Sequence, residues 1–512
     1  MDSINSIISV SPNTLQYLYL SSCSITEFPY SLRSLENLVL LDLSYNRIGG
    51  GVPQWLWNVG KDSLYSLDVS YNLLTHIGKI PWKMVEHIDF SSNRLQGHLP
   101  IPPPSTTLFS VSNNQLVEEI PSLFCNLSLI EFLDLSNNSL IGSIPPCFGN
   151  FSNIYVLDLR MNKLHGMIPS TFAKGNSLKN LNLNGNQLEG PVPRSLLNCE
   201  GLELLDVGNN KLNGSFPHWL ESFRELQVLI LRSNRFYGLV SDPKVRFPFQ
   251  KLRIMDISNN EFTGILPTKY FENLAAMTDA HTDELEYMGE HVGSSYYSVT
   301  VTIKGFNIEL VKIQQLFITI DFSSNNFTGE IPTVIGKLNS LKGLNFSHNK
   351  LSGLIPPSLG NLSNLEWLDL SSNELFGTIP VQLAANLNQL EILNLSDNKL
   401  EGPIPRGEQF DTFNSDSYSG NPGLCGFPLP KSCNNDDGQP DQGDEDGDGD
   451  HNKGVIDWKV VMMGYGSGIV IGISVGYMVV FDRGFDYWFL KRFGGGCFCK
   501  TSGRFRGWRR SN

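Results

Sequence analysis

An asparagine recurs at one unvarying interval through the middle of this chain, at Asn138, Asn162, Asn186, Asn210 and Asn234. Each sits in one frame, L-x-x-L-x-L-x-x-N-x-L-x-G-x-I-P, whose second half is clear in Leu133-Asp134-Leu135-Ser136-Asn137-Asn138-Ser139-Leu140-Ile141-Gly142-Ser143-Ile144-Pro145. With less regular spacing the series runs back through Asn114, Asn93, Asn72 and Asn46 to Cys23, and forward to Asn260, Asn325, Asn349, Asn373 and Asn398, giving fifteen units. A repeat of this kind constrains the fold more than any other feature. One such unit cannot bury its own leucines, so units must stack and share a core.

The local chemistry follows from the frame. Leu-x-Leu makes a short strand whose alternate residues point inward. The asparagine comes where the chain turns, and its amide can satisfy backbone groups that the turn leaves unpaired. The Gly and Ile-Pro belong to the returning side, where extended turns replace a full helix. The expected fold is an α/β repeat solenoid: a leucine-rich-repeat horseshoe with a parallel β-sheet on its concave face. To it we add one C-terminal transmembrane helix.

The pattern breaks once inside the solenoid. The step from Asn260 to Asn325 is well over twice the usual one, and the extra segment carries Tyr287, Tyr296, Tyr297 and a strand-like Val299-Thr300-Val301-Thr302-Ile303. Long interruptions of a regular scaffold are often functional, so we read 269–314 as an island with a binding role. The repeats divide into eleven units over 1–268 and four over 315–410. A cap follows at 411–433, where a short disulfide between Cys425 and Cys433 would pin the solenoid end. Cys125 and Cys147 lie in adjacent repeats at unequal offsets, which leaves their pairing open. Cys23 and Cys199 read as buried thiols.

Charge is distributed unevenly. The net charge of −13 lacks the basic footprint of a nucleic-acid binder. Residues 434–457 form an acidic, Gly/Asp-rich linker. It imitates the start of a calcium loop at Asp444, but the twelfth position is Val455 rather than the glutamate such a loop needs. Val460 to Phe481 is uncharged throughout, a run long enough to span a bilayer within 458–481. Arg483, Lys491, Arg492 and further basic residues in 482–512 put that tail in the cytosol and the repeats outside. Gly464, Gly468, Gly472 and Gly476 fall on one helical face and invite a second helix to pack there. The tail is too short for an enzyme, so any signal must pass to a partner. The chain enters its first repeat at Leu15 without the apolar stretch of a secretory leader. The outside placement therefore expects an upstream start or a shortened gene product.

Sequons stand at Asn126, Asn137, Asn150, Asn213, Asn326, Asn345, Asn361 and Asn394, as export would use. On the strand face, the residue two before each ladder asparagine is usually Ser; Arg160, Asn184, Gly208 and Arg232 break that run in four successive repeats. With Tyr155 and Met161, these are the candidate ligand contacts. The recurring Asp of Leu-Asp-Leu reads as scaffold. No nucleophile–base pair or CxxC metal motif is present, so neither enzyme nor cofactor is expected.

Together these features resemble the plant receptor-like proteins, the kinase-lacking leucine-rich-repeat receptors that include tomato resistance proteins against leaf mould. The Gly-x-Ile-Pro unit, the island ending in Lys304-Gly305 ahead of Ile320-Asp321-Phe322-Ser323-Ser324-Asn325, the four repeats after it, the cysteine cap and the short basic tail carry the resemblance. It implies recognition of an extracellular peptide or microbial pattern in plant defence at the plasma membrane. It implies pairing with an adaptor receptor kinase through Gly464, Gly468, Gly472 and Gly476, and recruitment of a co-receptor kinase by the last four repeats. A developmental peptide receptor of the same build, or a truncated non-signalling decoy, is the alternative.

Overall fold

A computed structural model describes residues 15–279, 286–289, 297–303 and 306–433. Fifteen three-residue strands, from Tyr17–Tyr19 to Ile392–Asn394, pair in parallel in chain order and form one continuous sheet. Eleven precede the island and four follow it. Ile254–Asp256 pairs directly with Thr319–Asp321, so the island loops out without breaking the sheet.

The middle residue of each strand points into the core. Leu41, Leu67, Ile88, Leu133, Leu181 and Leu229 are essentially without exposure. The ladder asparagines show why the coil must turn where it does. Asn186 accepts from the Leu164 amide at 3.0 Å and donates to the carbonyls of Leu159 and Leu183 at 2.9 and 3.1 Å. Asn46, Asn93, Asn234, Asn325 and Asn398 repeat this arrangement. Buried carbonyls left unpaired would each cost about 1–3 kcal/mol. The residue before the asparagine takes a left-handed conformation, as at Tyr71 (φ 52°) and Met161 (φ 53°).

The returning side is more ordered than extended turns. Ten short strands, from His165–Met167 to Gly423–Cys425, make a second sheet. Most coils then place a five-residue 3-10 helix after a proline, such as Arg194–Asn198 after Pro193. Proline fixes φ near the helical value and gives up no needed donor at that position. Each of these helices drops at least one large residue into the core, as Leu56, Phe124 and Leu196 do.

The cap continues the solenoid rather than merely covering it. Asn421 accepts from the Leu400 amide at 3.0 Å and donates to the Leu395 carbonyl at 2.9 Å, as a ladder asparagine does. Cys425 and Cys433 are bonded beside it. Cys125 and Cys147 are also bonded, joining two neighbouring 3-10 helices with a Cα separation of 5.5 Å. Cys199 is a buried thiol, and burial pushes its pKa up to about 12. Cys23 is not: it is half-buried.

The residues before Leu15, the linker at 434–457, the span at 458–481 with its four glycines, and the tail at 482–512 lie outside the described residues. Among the described residues, no helix is long and apolar enough to cross a membrane.

Candidate ligand-binding site

The island returns to the solenoid and lies on its concave face. Val299–Ile303 runs antiparallel to Phe306–Leu310, with Thr300 opposite Glu309. An apolar contact holds this hairpin down. Leu204, Val228, Ile230 and Ile254, which flank the inward residues of their strands, meet Met288, Tyr297, Val299, Val301 and Ile313. All nine are buried. Side chains at such strand positions ordinarily face water, so the row of four forms a landing surface.

Polar contacts fix where the hairpin sits. The Arg160 guanidinium donates to the Ser298 hydroxyl at 2.8 Å and to its carbonyl at 3.2 Å. It also pairs with Glu309 at 3.1 Å and with Asp158 at 3.5 Å. Arg232 donates to the Thr302 hydroxyl at 3.0 Å and lies 3.9 Å from Asp256. The Tyr297 hydroxyl donates to Glu203 at 3.1 Å, and Glu203 is paired in turn with Lys179. At the island's end, Arg253 donates to the Gln315 carbonyl at 2.6 Å.

The carboxyls below are strongly perturbed. Burial raises Asp158 to about 7 against the opposing pull of Arg160, and it raises Asp206 to about 6 against the Asn184 amide. Burial works to lower the Arg160 guanidinium, but Asp158, Asp134 and Glu309 outweigh it and raise its pKa. The Tyr297 hydroxyl is raised by burial and by Glu203.

Four of the six candidate contacts are therefore engaged within the chain. Arg160 and Arg232 grip the hairpin. Asn184 donates to Asp206 at 2.9 Å. Gly208 leaves the space that Arg232 fills: a Cβ there would stand 3.1 Å from Arg232 Cγ and 2.8 Å from Asn184 Nδ2. Tyr155 and Met161 remain exposed, at 37% and 53%. Beside Met161 and the hairpin is a polar cavity of about 110 Å³, lined by Asn137, Arg160, Met161, Asn184, Asp206, Thr300 and Glu309. It opens beside the concave strands of the first six coils, which no described part of the island covers.

Sequence reasoning missed the landing row. Its signal was partial: the first strand residue is apolar at Leu204, Val228 and Ile254 as it also is at Leu108, Phe132 and Val156, and what sets the row apart is Ile230 in place of the usual Asp. Among the sequons, Asn126, Asn150, Asn213 and Asn361 are exposed, whereas Asn137 and Asn326 are half-buried. Asn345 and Asn394 take the place of the strand Asp. Their amide nitrogens donate to Asp321 and Asp369 at 3.2 and 3.5 Å, which uses the atom a glycan would need.

Comparison with known proteins agrees with this architecture. A signature described as Leucine rich repeat matches 319–375. A second, described as Leucine Rich Repeat, matches eight segments between 14 and 408. The chain is 50% identical to Receptor-like protein 7 of Arabidopsis thaliana over 509 residues, covering 96% of this chain and 52% of that protein. It is 46% identical to Receptor like protein 22 of Arabidopsis thaliana, covering 94% of this chain and 62% of that one. The chain thus spans about half to three-fifths of the length of these relatives. Solved structures with the same build include a TDR receptor, with TM-score 0.60 and 25% identity over 80% of this chain and 68% of that one. The Arabidopsis receptor kinase HAESA, solved with the peptide hormone IDA and the co-receptor SERK1, gives TM-score 0.55 and 28% identity over 78% of this chain and 68% of that one.

Proposed function

The chain belongs to the plant leucine-rich-repeat receptor-like proteins, and from that premise we propose that it is a cell-surface receptor whose ligand is an extracellular peptide or microbial pattern. The ligand lies on the open concave coils and abuts the docked island. The observation that carries this reading is the division of one concave face into a covered part and an open part. Over units seven to eleven the hairpin occupies the strands, and over the first six no described part of the island covers them. Tyr155, Met161 and the small polar cavity mark the boundary where a ligand would touch both solenoid and island.

Signalling in plant defence then passes to other chains. An adaptor receptor kinase would pair with the span at 458–481 through Gly464, Gly468, Gly472 and Gly476, and a co-receptor kinase would face the last four repeats. The repeats lie outside the plasma membrane and the tail inside, with glycans on the exposed Asn126, Asn150, Asn213 and Asn361. A developmental role has one observation in its favour: HAESA, a structural neighbour, was solved with a peptide hormone.

Co-precipitation of the tagged full chain with receptor kinases from plant membranes tests the delegation step. Gly468→Leu with Gly472→Leu should abolish recovery of the adaptor, and unchanged recovery would reject the helix contact. Defence output against growth phenotype, scored in plants lacking the chain, separates the two physiological readings.

A further inference from the structure

The concave strands of the first six coils carry acid without base. In each of the first six coils five residues face this side: the one before the strand, its first and third residues, and the two ahead of the ladder position. Across all six coils none of these is Lys or Arg. Arg47 and Arg94 lie one residue beyond the ladder position, on the flank leading to the second sheet. The first cation on the face itself is Arg160, which is already held by Asp158 and Glu309.

The same positions carry Asp42, Asp68, Glu86, Asp89, Glu131 and Asp134. Each of the four aspartates spends one oxygen on its own turn, as Asp42 does on the Ser44 amide at 2.9 Å and Asp134 on the Ser136 amide at 3.0 Å. The two glutamates stand at the trough edge. Aromatic rings line both sides of the carboxylates. Tyr45 and Tyr71 stack with centroids 4.1 Å apart, and Tyr71 is 46% exposed. Tyr65 packs edge-on to His87 at 4.8 Å and shares a hydrogen bond with Glu86. Tyr17 and Tyr155 are exposed at the two ends.

Resting on the receptor reading above, we propose that this trough selects a cationic peptide, bound extended across the first six coils with its end against the hairpin. The carboxylates of this concave row other than the buried Asp89 focus negative potential, and exposed aromatic faces beside them suit Arg and Lys side chains through cation–π contact. Parallel strands are about 4.8 Å apart, so six coils span roughly 25 Å, the reach of about eight extended residues. An anionic peptide would meet like charge at the second, third, fourth and sixth of these coils.

The test uses the full chain in lipid nanodiscs and three fluorescent octapeptides, identical except for four positions that are all Arg, all Gln or all Glu. The Arg peptide should bind at least tenfold more tightly than the Gln peptide, and the Glu peptide should not bind. Glu86→Gln with Glu131→Gln should cut Arg-peptide affinity about tenfold, and Tyr71→Ala several-fold. Glu189→Gln with Glu401→Gln, on the second sheet, should leave affinity unchanged, which separates the trough from general attraction to an acidic protein. Equal affinity for Gln and Arg peptides, or equal loss in the second-sheet variant, overturns the proposal. Should the Gln or Glu peptide be held and lost on Tyr71→Ala, only the charge preference fails and the receptor reading stands. If a chain of normal melting behaviour holds none of the three, both fail.

Discussion

Replacing Val299 and Val301 together by Ala should release the island hairpin while leaving the solenoid intact. Both side chains are buried against the landing row, at 0% and 2% exposure. Each substitution removes two carbons, worth about 1.6 kcal/mol at roughly 0.8 kcal/mol per carbon. The residual cavity brings each to about 2 kcal/mol. The two share one cluster, so the pair costs at most about 4 kcal/mol. With each tenfold change in population worth about 1.4 kcal/mol, the undocked state rises by two to three orders of magnitude. A two-stranded hairpin is marginal in water on its own, so undocking exposes its amides. Hydrogen exchange of 299–303 and 306–310 should therefore accelerate by that factor, while exchange of Gly343–Asn345 in the sheet stays unchanged. The directly paired strands Ile254–Asp256 and Thr319–Asp321 keep the coils together when the hairpin leaves. Unaltered exchange in the hairpin, or equal acceleration throughout the coils, would refute the docking argument.

Other consequences follow from the same contacts. Gly208→Ala places a methyl 2.8 Å from Asn184 Nδ2 and 3.1 Å from Arg232 Cγ. It should cost about 1–3 kcal/mol and show as faster proteolysis within the island; resistance equal to that of the parent chain would count against Arg232 as an anchor. Asn186→Ala orphans the Leu164 amide and takes one of two donors from each of the Leu159 and Leu183 carbonyls, which keep Asn162 and Asn210, for a loss of about 1–3 kcal/mol. Exchange should quicken first in 159–188, since coils couple mainly to neighbours; a uniform rise along the solenoid would contradict that. Stability should also fall as pH rises. Burial, reinforced by neighbouring carboxylates, pushes Asp89 and Asp321 up to about 7, and burial carries Asp158 and Asp206 to about 7 and 6 against their partners. Folded pKa values above the unfolded one mean that the native state binds the extra protons between about pH 4 and 7. Their contribution is complete below about pH 4 and lost through about pH 6–7. The melting temperature measured at pH 5 should exceed that at pH 8, and the opposite order would show that these carboxyls stay ionised when buried.

The coil was legible from sequence because its cause is local and repeats. An asparagine that must close a turn, and a leucine that must face inward, reappear in each unit, so spacing alone locates strands, turns and core. The cap's Asn421 escaped that reading because the leucine frame around it dissolves, although its hydrogen bonds match those of Asn398. The docked hairpin escaped for a different reason. A Leu204-Leu205 pair looks like ordinary repeat leucine, and nothing periodic distinguishes the outward Leu204 from the inward Leu205 until a row of such residues is read across coils. Arg160 and Arg232 were recognisable as exceptions, but an exception in a lattice says only that something touches it there. Whether that partner is the chain itself depends on whether an insertion is long enough to come back, and here Ser298 and Glu309 reach Arg160, four coils before the insertion leaves the sheet. Beyond that reach, the tyrosines and glutamates of the first coils are exceptions that no described segment of the chain covers.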